Sequence, residues 1–279
     1  MVYSNTVEFL KNCQNPDGGY GYRPGKTSEM ESTRFAINTF NLLKRPPPRQ
    51  IDSVNWINQC LSNSGFAAKP RGPIALSSTY YAALSLNMLK NDVNNRGSII
   101  KFVQSMNNEN GGFHGMKDRE SSMDETYYAL QALQNLKATI AERSSTLSYV
   151  KSCQASSGGF SNKPGEEPDM DHTYVSIASF RLLHEAVPSG RMHLRFLHLC
   201  QKKQGGFSFK PNLSANVAST YWAVHSLRLL GSRVPNTRDC VKFLSECHRE
   251  DGGYVAFESS RAQSQVWYTY CNIHSRLLL

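Results

Sequence analysis

The chain has 279 residues, 39% hydrophobic and 19% charged, with 31 Lys+Arg against 22 Asp+Glu for a net charge of +9. This length and apolar share exclude a disordered chain and allow a large core, while no run approaches the ~18 apolar residues of a membrane span. The excess cations attract anions in general, yet they are spread along the chain rather than gathered into basic runs, so no nucleic-acid partner is expected.

The opening residues, MVYSNTVEFLKNCQNPDGG, lack the charged-then-apolar order of an export signal, and an odd count of seven cysteines suits free thiols. Both features predict a cytoplasmic protein. Reading onward, a glycine-aromatic turn recurs at Tyr20, Phe66, Phe113, Phe160, Phe207 and Tyr254, at separations of 46, 47, 47, 47 and 47 residues. Each turn follows an amphipathic helical stretch and precedes a loop and a second, almost wholly apolar helix. In the fourth unit these are STLSYVKSCQ (Ser145 to Gln154), which stops at the glycines, and HTYVSIASFRLL, beginning at His172.

Such a hairpin cannot bury its apolar faces alone. The expected fold is all-α: one domain over residues 1–279, six helical-hairpin repeats closed into an α/α toroid, with twelve helices in two concentric rings. The repeat also absorbs Cys13, Cys153, Cys200 and Cys247, which share one column at the end of the first helix and read as packing residues rather than a metal cluster.

QNPDGGYGYRPG, QASSGGFSNKPG and QKKQGGFSFKP resemble the repeats of protein prenyltransferase β subunits and of squalene-hopene and other class II terpene cyclases. The resemblance runs from about residue 6 to 279. It implies a toroid whose central cavity holds an isoprenoid or prenyl diphosphate, and, on the transferase side, a helical partner subunit. No redox cofactor is implied, and Mg2+ would accompany a diphosphate.

After the inner-helix threonines Thr33, Thr79, Thr126, Thr173 and Thr220 come Arg34, Tyr80, Tyr127, Tyr174 and Tyr221, with Tyr81, Tyr128 and Trp222 one place on. An aromatic ring of this kind can hold a hydrocarbon and stabilise a carbocation, or simply fill a core. Arg23, Lys69, Lys163 and Lys210 form a second column three residues past the turn aromatic, readable as a diphosphate-binding rim or as solvated loop charges.

The transferases hold zinc with an Asp-x-Cys pair and a His of the next repeat. By chain order those positions are Asn216, Ala218 and Val266, which makes zinc doubtful; one repeat-pair earlier they are Ser122, Asp124 and His172, so that Asp124, Asp171 and His172 could form a mixed nitrogen-oxygen metal site.

The class II cyclases use Asp-x-Asp-Asp-Thr, whose middle carboxylic acid protonates an alkene or epoxide. Asp169-Met170-Asp171-His172-Thr173 resembles that signature, with Asp171 as the acid and Asp169 and His172 supporting it. Against this, Glu29, Glu31, Ser77, Ser122 and Asp124 occupy the same columns, so polar residues here also serve as helix caps. The leading expectation is a cyclase initiated by Asp171, the next a prenyltransferase using a metal and a partner subunit, and the third a toroid that binds lipid or protein without catalysis.

Overall fold

The computed structural model describes residues 3–115 and 120–279. Six helices form the outer ring: α1 (Ser4–Asn12), α3 (Gln50–Gln59), α5 (Arg96–Ser105), α7 (Arg143–Ser152), α9 (Gly190–Cys200) and α11 (Thr237–Glu246). Six form the inner ring: α2 (Met30–Leu42), α4 (Leu76–Met88), α6 (Met123–Asn135), α8 (Met170–Leu182), α10 (Val217–Leu229) and α12 (Val266–Leu278). One pair of two-residue strands, β1 (Phe113–His114) with β2 (Ser121–Ser122), completes the elements among the described residues. None of the described helices is long and apolar enough to cross a membrane.

Each inner helix packs on its two inner neighbours, and α12 packs on α2, so the ring closes as expected. Closure is carried by the same contact that joins the other repeats. The first N-H of α8 donates to the Phe209 carbonyl of the next repeat's loop (3.0 Å), that of α10 to Ala256 (2.7 Å), and that of α12 returns to Tyr22 of the first repeat (2.9 Å). On the outer ring a Cβ on Gly252, whose φ is +87°, would sit 2.1 Å from the Asn5 carbonyl of α1, so glycine is required where the last turn meets the first helix.

The turn aromatics Tyr20, Phe66, Phe160 and Phe207 are fully buried, each stabilising its repeat by roughly 1.5–3 kcal/mol. Their backbone N-H groups would be orphaned there, and the threonine column takes them up. Thr33, Thr79, Thr126, Thr173, Thr220 and Thr269 each accept, through Oγ1, the N-H of their own turn aromatic at 2.9–3.1 Å. The seven cysteines are free and buried, as a packing role requires.

Candidate active site

The threonines also set the lumen. On an inner helix, positions two before, one after and five after the threonine lie on one face. They form three layers around a cavity of about 370 Å³, at the lower end of the ~300–1,000 Å³ of ligand pockets. Glu31, Asp124, Asp171 and Trp267 border the mouth; Arg34, Tyr80, Tyr127, Tyr174, Tyr221 and Tyr270 form the middle layer; Asn38, Gln131, His225 and His274 form the floor.

Neighbouring tyrosines from Tyr80 round to Tyr270 have ring centroids 5.4–6.1 Å apart, mostly edge to face. Their hydroxyls meet each other and the floor: Tyr127 and Tyr174 at 3.4 Å, Tyr221 and Tyr270 at 3.2 Å, with Gln131 donating to Tyr127 at 2.9 Å and Asn38 to Tyr270 at 3.2 Å. The lumen therefore offers aromatic surface interleaved with hydroxyls.

At the mouth, Asp169 is the N-cap of α8 and does two things at once. Its Oδ1 accepts the His172 backbone N-H (3.0 Å) and its Oδ2 accepts the ring Nδ1-H (2.7 Å). His172 Nε2 faces Asp124 Oδ2 of α6 at 3.5 Å. Burial alone would lower the imidazole's pKa, but the hydrogen bonds to Asp124 and Asp169 outweigh it and raise the value to about 10, so His172 is an imidazolium at neutral pH. Asp171, one residue before it, has its pKa raised to about 7 by burial and then by the Asp124 carboxylate, against the lowering effect of His172.

A half-buried carboxyl whose pKa is raised to about 7 beside a fixed imidazolium, at the mouth of an aromatic cavity, can donate a proton. The prenyltransferase alpha-alpha toroid domain matches this chain over residues 1–57, 26–195 and 189–279. The chain belongs to that family.

Among relatives of the toroid family, the protein farnesyltransferase β subunit of Pisum sativum is 31% identical over 112 residues, a match spanning 36% of this chain and 26% of that subunit. Two solved toroids share the fold. Candida albicans protein geranylgeranyltransferase-I, in complex with GGPP, superposes with a TM-score of 0.81 at 18% identity, over 100% of this chain and 91% of that one. The type II terpene cyclase MstE from Scytonema gives 0.72 at 14%, over 99% and 96%.

Within the toroid, the cavity gathers Arg34, Tyr80, Tyr127, Tyr174, Tyr221 and Trp222 as the columns anticipated. Lys163 and Lys210 are not in its lining; Lys163 pairs with Glu120 at 2.6 Å in an outer groove beside Tyr149. Capping is less general than expected, because a side chain caps the inner helix in α6, α8 and α10 but not in α2, α4 or α12.

The transferase zinc columns do not fit a metal. Asn216 spends its amide oxygen on the Ser219 N-H (2.8 Å), Ala218 has no donor atom, and a two-residue insertion in the sixth repeat puts Tyr268 rather than Val266 directly before the threonine, where His172 stands in the fourth. Asp124 and His172 do come together, yet among the described residues no three His, Cys, Asp or Glu side chains are arranged to hold an ion. Tyr270, Trp267, His225 and His274 escaped the sequence reading. In the sixth repeat the threonine stands 15 residues past the turn aromatic instead of 13, which breaks the column at Tyr270, and the position five after each threonine would have exposed both histidines.

Proposed function

We propose that the chain is an isoprenoid-converting enzyme that starts a cyclisation by protonating its substrate from Asp171. The observation that carries this reading is the raised pKa of Asp171 at the rim of the aromatic cavity, next to the Asp169-His172 pair. The O-H of Asp171 gives its proton to one alkene carbon, the π electrons form the new C-H bond, and the cation develops on the more substituted carbon. The carboxylate left behind is stabilised by the His172 imidazolium, and aromatic faces and the mouth carboxylates Asp124 and Glu31 stabilise the cation. Loss of a proton from the final cation leaves a product of unchanged mass.

Arg34 limits where that cation travels. It lies on α2, across the ring from α8, and a carbocation about 6 Å from a guanidinium would be raised by roughly 3 kcal/mol at an effective dielectric of 20. Left unpaired, Arg34 would thus keep the cation on the Asp171 side. Purified protein incubated with geranyl, farnesyl and geranylgeranyl diphosphates, with and without Mg2+ and zinc, tests the reading by mass spectrometry. A cyclic isomer that disappears in Asp171→Asn supports it; an isomer that persists in the variant refutes the assignment of the acid.

The similarity to the pea subunit supports a second reading, prenyl transfer with a helical partner subunit. Its signature in the same assay is no turnover until an acceptor peptide and a partner are supplied.

A further inference from the structure

Arg34 stands where the five other repeats carry tyrosine one place after the threonine, and it is 8% exposed. Its guanidinium carbon lies 3.8 Å from the Phe35 ring centroid, 4.8 Å from Tyr81, 5.4 Å from Tyr270 and 5.5 Å from Tyr80. Ring faces compensate part of the charge, but they leave in-plane N-H groups without acceptors. Among the described residues Arg34 forms no ion pair, and its Nε is buried without a hydrogen-bond partner. A buried, unpaired guanidinium is costly unless something else supplies an acceptor.

A second orphan lies in the same sector. His225 Nε2 is buried with no partner, and its ring lies 4.2 Å from that of His274, whose Nδ1 meets the Tyr270 hydroxyl at 3.1 Å. The three helices involved, α2, α12 and α10, are consecutive in the ring. Burial and then the Arg34 charge lower the His274 pKa to about 4, and burial and then His274 lower that of His225 to about 2, so both rings are neutral and Arg34 is the sector's cation.

We infer that this sector of the lumen receives a compact oxyanion carried by the ligand, bound by the Arg34 guanidinium and by Nε2-H of neutral His225. The inference rests on the isoprenoid reading and deepens it. A chain whose anionic end meets Arg34 on α2, across the ring from α8, would extend its alkene toward Asp171. Either a carboxylate or a phosphate oxygen supplies the chemistry.

Isothermal titration of the purified chain with farnesoate, farnesyl diphosphate, farnesol and hexanoate separates the possibilities. Farnesoate or farnesyl diphosphate should bind at least about tenfold tighter than farnesol, as a charge-assisted hydrogen bond predicts, and whichever binds better identifies the anion. Arg34→Met should erase the preference and His225→Leu reduce it; should Arg34→Met fail to fold, His225→Leu carries the test. Equal binding of farnesol and the anions, or a preference untouched by both substitutions, overturns the inference while leaving the isoprenoid reading intact. Hexanoate binding that depends on Arg34, with no affinity for any farnesyl compound, upholds the oxyanion site and refutes the isoprenoid reading. No binding of any of the four refutes both.

Discussion

The inner helices of the fourth and fifth repeats begin alike. Asp169 and Asn216 are both extended N-caps, at φ −144° and −146°, and each accepts the N-H three residues on, at 3.0 and 2.8 Å. Each helix then hands its first N-H to the next repeat and has its threonine bonded to the turn aromatic. Beyond this shared frame the two diverge: Ala218 stands where Asp171 does, and Ser219 where His172 does. The fifth repeat shows what the toroid itself demands at this position. One cap oxygen and one threonine hold the backbone, and Asn216 Nδ2 also donates to Ser219 Oγ (3.0 Å) where Asp169 Oδ2 takes the His172 ring, so what exceeds the shared frame in the fourth repeat is the Asp171 carboxyl and the charged imidazole.

Converting the fourth repeat toward the fifth is the sharpest use of this contrast. Asp171→Ala should lower turnover by about 10²–10⁴-fold, the usual share of a general acid, while the melting temperature at neutral pH holds or rises. Turnover within roughly twofold of the parent would end the acid assignment. Next in size are Thr173→Val and Thr220→Val, each of which orphans a buried turn N-H. Both should cost about 1–3 kcal/mol in denaturant unfolding, and by similar amounts, because the bond is the same in the two repeats. A large difference between them would mean that the frame is not shared.

The frame was legible because a repeat states it six times: turn spacing, threonine column and apolar inner helices are redundant, and ring closure followed from the pairing of amphipathic with almost wholly apolar helices. What a single repeat states once was harder. Asp169, Asp171 and His172 stood out as a motif, but a one-dimensional reading cannot tell a side chain that only caps a helix from one that also holds a neighbour, and only the 2.7 Å bond to Nδ1 shows that Asp169 fixes the His172 ring as well as capping α8. Lys163 and Lys210 stayed open between a rim and a solvated loop because a column fixes the height of a residue along the ring axis but not whether it turns inward, and the cavity lining holds neither. Tyr270 falls out of its column through a two-residue insertion, and His225 lies a further turn along its helix from the aromatic column, in a layer where no residue type is common to the repeats.

Asn216→Ala and Asp169→Ala come third, each losing an N-cap worth about 0.5–2 kcal/mol. Asn216→Ala should leave turnover and its pH profile unchanged. Asp169→Ala should also release His172, whose pKa falls toward its ordinary value, a change visible as a shift of the imidazole titration in NMR spectra. Equal effects of the two substitutions on that titration and on turnover would reduce Asp169 to a cap.

The smallest expected effect is the most specific to the contrast, because it has a sign and a window that the fourth repeat supplies and the fifth does not. Asp171 titrates at about 7 in the folded chain against an ordinary 3.8, so between these values the folded state keeps a proton that the unfolded state has lost. Its contribution to stability is complete below pH 3.8 and is lost as the pH rises to about 7. His172, raised from 6.5 to about 10, contributes fully below 6.5 and loses that contribution as the pH rises to about 10. The stability difference between the parent and Asp171→Ala should therefore drift against the parent from pH 4 to 7 and level off above it, measured by urea unfolding at each pH. Turnover should decline over the upper end of the same window, as Asp171 gives up the proton it has to donate. A stability difference flat across that window, or a rate that rises through pH 7, would place the titrating acid elsewhere in the lumen.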